Sequence, residues 1–280
     1  MKLGKFNLFH LSDGTFRLDG GAMFGVVPKV IWEKESPADV LNRILLALGV
    51  LVIQANGKNI LVDTGIGNKG DSKFNDIYQV NRSPSLEAEL KRHGLTPENI
   101  DIVINTHLHF DHAGGNTKIN STGELTPTFP NARYYIQRKE WEFALTPNER
   151  TKGSYLLENY SLLEKTGHLV FLEGDQPILE GVKVVETPGH TEHHQSIVVS
   201  SEKEKACFLG DLIPTTAHLS PPFIMGYDLF PLTTLRTKKK ILQQAYEEHW
   251  LLFFQHDPKT RSGYLKEKKG KFMLELEANH

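Results

Sequence analysis

Residues 106–115 have the sequence THLHFDHAGG. It places four possible metal ligands within six positions: His107, His109, Asp111 and His112. The apolar run Ile102, Val103 and Ile104 directly before it predicts a buried strand. Ionisable side chains are costly to bury without a partner, so their concentration at the end of a core strand indicates a shared partner.

Backbone geometry predicts that these four side chains meet. Alternate side chains of an extended segment point to the same side, so His107, His109 and Asp111 are expected to project together. His112 can join them as the chain turns through the following Ala-Gly-Gly. Imidazoles and a carboxylate together suit zinc, iron, manganese or cobalt. The alternative is a chance set of unrelated surface or core residues, expected in about one chain in several hundred.

Three more candidate ligands follow apolar strands further along the chain. They are His190 in ETPGHTEHH, Asp211 in CFLGDLIP and His256 in LLFFQHD. A strand that ends in a candidate ligand, repeated four times, indicates a site along one rim of a sheet.

Composition and charge narrow the class of protein. The chain has 280 residues and a formal net charge of −2, so no basic surface field is expected for a nucleic acid or an anionic membrane. The lysine runs at residues 238–240 and 266–271 are interpreted as solvated surface. The single cysteine, Cys207, excludes an intramolecular disulfide and is expected to be a buried, inert thiol. We recognise no signal peptide and no apolar stretch of roughly 18 residues, so a cytoplasmic protein is expected.

Short apolar runs and amphipathic segments predict one domain over residues 1–280, built of mixed sheets with helices outside. The predicted strands are residues 44–54, 59–62, 101–105, 133–136, 168–172, 182–186, 195–200, 206–209, 251–255 and 271–277. The predicted helices are residues 83–94, beginning with Ser83 and Pro84, and residues 139–145, 154–165 and 233–249. Asn56-Gly57 predicts a tight hairpin between the first two strands.

The motif order HLHFDH, PGH, GD and a late histidine resembles the metallo-β-lactamase superfamily, and the match spans residues 63–256. The resemblance implies an α/β (α+β) fold, a four-layer αββα sandwich of two mixed β-sheets with helices on both outer faces. It also implies two divalent metal ions, with zinc as the first choice and manganese, iron or cobalt as alternatives. By position, the first metal would take His107, His109 and His190, the second would take Asp111, His112 and His256, and Asp211 would bridge them.

The same resemblance implies supporting residues and narrows the branch. Asp63 stands where the superfamily places a supporting carboxylate, and His194 is a second candidate for that duty, whereas His193 is interpreted as solvent-exposed. β-Lactamases with a zinc-bound thiolate carry a cysteine at the position of Asp211, so hydrolysis of β-lactams is not expected.

The N-terminal stretch LDGGAMFGVVPK, residues 18–29, resembles the branch of N-acyl-homoserine lactonases and methyl parathion hydrolase. In that branch this segment borders the active-site mouth. Four apolar side chains there either form a wall for an acyl or aryl group or belong to the ordinary core: Met23, Phe24, Val26 and Val27.

One position departs from the lactonases, which carry a substrate-binding tyrosine three residues after the bridging aspartate. Here that position is Pro214, which has no hydrogen-bond donor. Four residues are candidates to replace it: Thr215, Thr216, His218 and Tyr227.

We therefore expect a dinuclear metallohydrolase that uses a bridging hydroxide on a small ester, lactone or organophosphate-like substrate. Asp211 would share the two metals, and Asp111 would orient the hydroxide and pass its proton to the leaving alkoxide. The alternatives are a glyoxalase II-like thioesterase, a phosphodiesterase, and a metal-binding regulatory protein without turnover. The resemblance also implies a homodimer, and no nucleic-acid or membrane partner is expected.

Overall fold

The structure is a computed structural model that describes residues 1–275. Sixteen strands are formed within these residues: β1 (Lys2–Leu3), β2 (Phe6–Asp19), β3 (Arg43–Ala55), β4 (Lys58–Val62), β5 (Ile102–Ile104), β6 (Thr117–Ile119), β7 (Leu125–Pro127), β8 (Arg133–Gln137), β9 (Leu169–Leu172), β10 (Gln176–Leu179), β11 (Val182–Glu186), β12 (Gln195–Ser201), β13 (Glu204–Phe208), β14 (Leu251–Phe253), β15 (Ser262–Lys268) and β16 (Lys271–Glu275). Eight α-helices accompany them in the described part of the chain: α1 (Gly20–Phe24), α2 (Lys29–Trp32), α3 (Ser72–Tyr78), α4 (Leu86–Arg92), α5 (Phe110–Ala113), α6 (Arg138–Leu145), α7 (Ser161–Lys165) and α8 (Pro231–Glu247).

The strands form two seven-stranded mixed sheets that pack face to face. The first has the order β1-β2-β3-β4-β5-β8-β9, and the second runs from β10 to β16 in chain order. In the first sheet, β4, β5, β8 and β9 are parallel, and in the second, β13 and β14 are parallel. β6 and β7 form a separate hairpin.

Three layers of core explain the sandwich. Apolar side chains from both sheets fill the space between them, α4, α6 and α7 cover the outer face of the first sheet, and α8 covers that of the second. β3 is almost continuously apolar because both of its faces are covered: Val50 packs outward and Leu51 packs inward. The expected αββα architecture is confirmed.

The predicted hairpin is also confirmed. Asn56 and Gly57 join β3 to β4 with φ angles of 51° and 74°. Two consecutive positive φ values define the turn that matches the twist of paired strands, and Asn-Gly is the sequence that favours it.

Two helix predictions need correction. Residues 154–165 form a 3₁₀ turn, Leu157–Asn159, and the short helix α7, because the Ser154 carbonyl accepts from Phe110 N (2.9 Å) and Tyr160 has φ −142°. The helix predicted from Ser83 starts at Leu86, with Ser85 as its N-cap.

The ends of other elements differ less. α8 begins at Pro231, two residues before the predicted start, because proline is well suited to a first helical turn. Of the strand predicted at residues 271–277, the structure forms β16 up to Glu275, and residues 276–277 lie outside the described residues. Within residues 1–275, no helix has both the length and the apolar character needed to cross a membrane.

Candidate metal centre

The motif at residues 106–115 supplies four side chains because the chain changes direction after β5. His107 and His109 lie in the segment between β5 and α5, with His109 in extended backbone, and α5 then carries Asp111 and His112. The expectation that Asp111 continues the extended segment is wrong, because His109 caps the helix and its carbonyl accepts from Ala113 N (2.9 Å). Asp111 nevertheless reaches the same buried cluster through α5.

Three loops of the second sheet complete the cluster. His190 follows β11, Asp211 lies in the 3₁₀ turn Gly210–Leu212 after β13, and His256 follows β14. β11, β13 and β14 run in the same direction, so their carboxyl ends meet at one edge. Sheet direction therefore accounts for the convergence of ligands that lie far apart in sequence.

Asp211 lies between two sets of histidines. Its Oδ2 is 3.1 Å from His190 Nε2 and 4.0 Å from His107 Nε2. Its Oδ1 is 3.1 Å from His256 Nε2 and 3.5 Å from His112 Nε2. One carboxylate thus faces both sets, which is the arrangement a bridging ligand requires.

Three overlapping groups have donor atoms close enough to hold a cation. They are His107 with His109 and His190, His107 with His112 and Asp211, and Asp111 with His112 and His256. Within each group the donor atoms lie within 4.8 Å of one another. All seven candidate ligands inferred from sequence belong to at least one group.

The unsatisfied atoms of this cluster fit divalent cations. Among residues 1–275, neither His107 Nε2 nor Asp211 Oδ1 has a hydrogen-bond partner, although both atoms are buried. The Nε2 atoms of His112 and His256 face each other at 3.3 Å. Buried polar atoms normally have partners, and nitrogen and oxygen lone pairs that point into one space are satisfied by a metal ion.

Burial and charge set the protonation of the cluster. Burial lowers the pKa of His107 and of His109 well below the ordinary value for histidine. Burial also opposes ionisation of Asp211, but His112 and His190 outweigh it and hold the pKa of Asp211 well below its usual range. His107 and His109 are therefore neutral imidazoles and Asp211 is an ionised carboxylate, which are the forms that bind metals.

Asp63 orients His112. Its Oδ2 lies 3.0 Å from His112 Nδ1, and its two oxygens accept from the backbone N–H (2.7 Å) and the hydroxyl (2.8 Å) of Thr106. All three residues are buried. With Nδ1 held by a carboxylate, Nε2 of His112 is directed toward Asp211 (3.5 Å), as in ligands supported by an outer carboxylate.

His194 supports the backbone of a candidate ligand. Its Nδ1 pairs with the Thr187 hydroxyl (2.8 Å), and its Nε2 accepts from the backbone N–H of Asp211 (3.1 Å). Burial lowers the pKa of His194 to about 3, so the ring remains a neutral acceptor. His193, interpreted as exposed, is partly buried and lies 3.6 Å from Glu186.

Two supporting contacts were missed by sequence reasoning. Asp228 Oδ1 lies 2.9 Å from His190 Nδ1, and His256 Nδ1 donates to the Ala47 carbonyl (2.8 Å). Asp228 lies between Asp211 and α8. Its acidic side chain near a candidate ligand was the one feature of the sequence that could have indicated the contact. The contact of His256 with the Ala47 carbonyl could not be predicted, because every residue has a backbone carbonyl.

A cavity of about 420 Å³ opens above the cluster. Its floor contains five of the candidate ligands: His109, Asp111, His190, Asp211 and His256. Its walls are mostly apolar or aromatic: Leu18, Ala22, Met23, Tyr78, Phe110, Met225 and Tyr227. Met23 and Tyr227 therefore lie where sequence reasoning expected substrate contacts.

Phe24 and His218 lie behind the cavity wall, which corrects their expected role as substrate contacts. The Phe24 ring stacks on His218 at 4.8 Å, and both side chains are buried. The two ring nitrogens of His218 are used by the Thr215 hydroxyl (2.7 Å) and the Met23 carbonyl (2.9 Å). Tight aromatic packing turns both residues away from the cavity, so they support the wall.

Residues 50–256 match the family model of the metallo-beta-lactamase superfamily. The chain belongs to this superfamily. An N-acyl homoserine lactonase of Bacillus thuringiensis is 31% identical over 238 residues, which cover 79% of this chain and 84% of that protein.

Solved structures agree with this assignment. A probable metal-dependent hydrolase from Staphylococcus aureus matches with a TM-score of 0.89 and 32% identity over the whole of both chains. AidC, a dizinc quorum-quenching lactonase, matches with a TM-score of 0.83 and 24% identity over 100% of this chain and 97% of that one, which supports the fold. The resemblance to the metallo-β-lactamase superfamily is confirmed. The relatives are metal-dependent hydrolases, and this chain is a member of the same enzyme class.

The position of Pro214 has a structural role in this metallo-beta-lactamase fold. The Pro214 carbonyl accepts from the backbone N–H of His256 (2.9 Å), which ties the loop after β13 to the loop after β14. Cys207, on β13, is buried and unpaired, and burial raises the pKa of its thiol to about 12. The thiol therefore stays protonated and is not a ligand of the cluster.

Proposed function

We propose that this protein is a dinuclear metal-dependent hydrolase that opens a lactone, or cleaves a related small ester, with a bridging hydroxide. The observation that carries the proposal is the position of Asp211. Its two oxygens face separate sets of histidines at the floor of a cavity with apolar walls. A carboxylate in that position is suited to share two cations directly below a bound substrate.

The proposed ligand sets are those inferred from the motif order. The first is His107, His109 and His190, the second is Asp111, His112 and His256, and Asp211 is shared. When bound, two divalent cations, with zinc as the first choice, would supply a hydroxide at neutral pH and polarise the acyl oxygen of the substrate. Manganese, iron and cobalt suit the same donors.

Asp111 is proposed to move the proton. Its side chain lies in the cavity floor, with Oδ2 3.6 Å from His256 Nε2 and 3.7 Å from His112 Nε2. A carboxylate there can orient the attacking hydroxide, accept its proton and deliver it to the leaving alkoxide. His112 and His256 fix the carboxylate at the edge of the cluster that faces the substrate.

Tyr227 is proposed to take the place of the lactonase tyrosine that Pro214 lacks. The other candidates are used elsewhere: the Thr215 hydroxyl pairs with His218 (2.7 Å), and the Thr216 hydroxyl donates to Asp257 (2.6 Å). Tyr227 lines the cavity, and its hydroxyl has no hydrogen-bond partner within residues 1–275. Burial raises the pKa of Tyr227, so the hydroxyl keeps its proton and can donate to an acyl oxygen.

The apolar part of the cavity wall suits the acyl chain of a substrate, and Arg150 also lines the cavity. Leu18, Met23 and Met225 offer flexible apolar surface for an acyl chain. The relative from Bacillus thuringiensis is an N-acyl homoserine lactonase, which makes acyl lactones the first class to test. None of residues 266–271, the candidate basic clamp of a thioesterase, lines the cavity formed by the described residues. A homodimer stays a prediction from the family resemblance.

The test is a substrate panel with metal analysis. The purified protein is loaded with zinc, and its metal content is measured alongside hydrolysis of acyl lactones, aryl esters, thioesters and phosphotriesters. We expect close to two zinc ions per chain and the highest kcat/KM on an acyl lactone or ester. Removal of zinc with a chelator should abolish turnover, and refilling should restore it. Zero turnover on every class by fully loaded protein would reject the proposal in favour of a binding protein.

A further inference from the structure

Glu140 is a buried carboxylate that no ligand motif includes. It lies on α6, is 2% exposed and accepts three hydrogen bonds. Its Oε1 accepts from the Leu108 backbone N–H (3.1 Å) and the Tyr155 hydroxyl (2.9 Å), and its Oε2 accepts from the Thr191 hydroxyl (2.8 Å). A buried carboxylate is costly unless such donors surround it, so this arrangement is specific.

Each donor is next to a candidate ligand of the first metal, either in sequence or through a ring contact. Leu108 lies between His107 and His109, and Thr191 directly follows His190. The Tyr155 ring packs edge-on against the His109 ring, with centroids 4.6 Å apart. The three contacts therefore converge on one ligand set.

The contacts also join the two sheets. The loop that carries Leu108 leaves β5 in the first sheet, whereas the loop that carries Thr191 leaves β11 in the second. Thr191 Oγ1 and Leu108 N bond to opposite oxygens of the same carboxylate. Glu140 thus links the loop of Leu108 to the loop of Thr191, in addition to the bond from Gln195 N to the Thr106 carbonyl (3.0 Å).

We propose that Glu140 is a positioning residue that holds His107, His109 and His190 in the arrangement that binds the first metal ion. The inference rests on the proposed function, because it requires that this set binds a metal. Glu140 is absent from the residues that line the cavity, so it acts through the ligand loops rather than on the substrate. Replacing Glu140 is therefore expected to lower the affinity for the first metal ion and to leave the residues that line the cavity unchanged.

Two substitutions at this position separate geometry from charge. Glu140→Leu keeps an apolar side chain of similar size but leaves the Leu108 N–H and two hydroxyls without their acceptor. Glu140→Gln keeps the shape: its amide oxygen can accept from Leu108 N and Tyr155, and its NH₂ can donate to Thr191 Oγ1. The leucine variant should therefore lose the positioning, and the glutamine variant should retain it.

The experiment measures zinc affinity by titrating the zinc-loaded protein with chelators of graded strength. We expect Glu140→Leu to weaken the binding of one zinc ion by about tenfold to a hundredfold, as for other outer partners of ligands. Glu140→Gln should bind within about threefold of the unsubstituted protein, since its hydrogen bonds are retained. Glu142→Gln, an exposed position on the same helix, is the matched control and should leave zinc affinity unchanged.

Urea unfolding of the chelator-treated protein gives a second readout. A purely structural role for Glu140 would lower stability in Glu140→Leu but leave zinc affinity as in the unsubstituted protein, and that result would overturn the inference. If Glu140→Leu does not fold, Thr191→Val decides, because it removes the contact to the loop of His190 alone. Severalfold weaker zinc binding in Thr191→Val supports the inference, and unchanged binding overturns it. If the unsubstituted protein binds no zinc, the proposed function fails, and the inference fails with it.

Discussion

Asp63 Oδ2 lies 3.0 Å from His112 Nδ1 although the two residues are 49 positions apart in the chain. β4 and β5 are parallel neighbours, so the residues just after them emerge side by side at one edge of the first sheet. Asp63 has φ 56°, a left-handed conformation that aspartate tolerates better than most residues. The strand pairing thus delivers a carboxylate to the back of a candidate ligand.

Replacing Asp63 is expected to weaken metal binding at the second ligand set. Asp63→Asn keeps the shape but loses the charge that holds His112 Nδ1 and the Thr106 hydroxyl. Zinc affinity and kcat/KM should each fall by about tenfold to a hundredfold. Asp76→Asn, on the exposed side of α3, is the control. Equal zinc affinity in Asp63→Asn and Asp76→Asn would contradict the supporting role.

Removing two ligands from the quoted motif should abolish hydrolysis. His107→Ala and His109→Ala together take away two of the three proposed protein donors of the first metal that are not shared. We expect bound zinc to fall and turnover to reach background in assays of purified protein. His193→Ala, three residues after His190 but outside the cluster, should keep both zinc and activity. Full turnover by the double variant without metal would rule out the proposed chemistry.

The hydroxyl of Tyr227 is expected to act in the transition state. Tyr227→Phe keeps the ring in the cavity wall but removes the donor proposed for the developing oxyanion. kcat on an acyl lactone should fall on the order of a hundredfold. KM should change little if the bond forms mainly in the transition state. Steady-state kinetics would check this, with Tyr246→Phe on the surface of α8 as the control. An unchanged kcat in Tyr227→Phe would exclude this donor.

A partly buried histidine outside the site, whose ring nitrogens are both buried, should make the protein sensitive to acid. Both ring nitrogens of His10, on β2, are buried and have no partner among the described residues. Burial, with a smaller effect of Arg261, lowers the pKa of His10 to about 3. The unfolded chain takes up a proton at this position below about pH 6.5, whereas the folded protein does not, so stability falls as the pH decreases from 7 toward 3.

Substitution of His10 tests the direction of this pH dependence of stability. His10→Leu removes the group, so its advantage over the unsubstituted protein should grow by at most about 2 kcal/mol between pH 7 and pH 5. Urea unfolding of the chelator-treated proteins at both pH values would measure the change. His93→Leu replaces an exposed histidine and should show no such growth. An advantage of His10→Leu that is the same at both pH values would refute the assignment.

Local patterns allowed the sheets and the ligand loops to be predicted because both depend on neighbouring residues. The apolar run of β3 and the Asn56-Gly57 turn depend on side-chain type and backbone φ, which a few residues determine. The long strand β2 was not predicted, and the Asp13-Gly14 pair inside it resembles a turn. In the folded chain these residues form an irregularity within β2, and Asp13 accepts backbone N–H groups from Ile66, Gly67 and Leu86.

The amino-acid sequence was sufficient to predict the order of strands that end in histidine or aspartate, the apolar core pattern and the membership of the superfamily. The tertiary structure added contacts behind and above the cluster beyond those expected of Asp63 and His194. It brought Asp228 to His190 and Glu140 to both ligand loops, and it engaged Thr215 and Thr216 elsewhere while leaving Tyr227 in the cavity. These contacts join loops that are far apart in the chain, so no local periodicity encodes them. They form because the sheets bring the carboxyl ends of their strands to one edge.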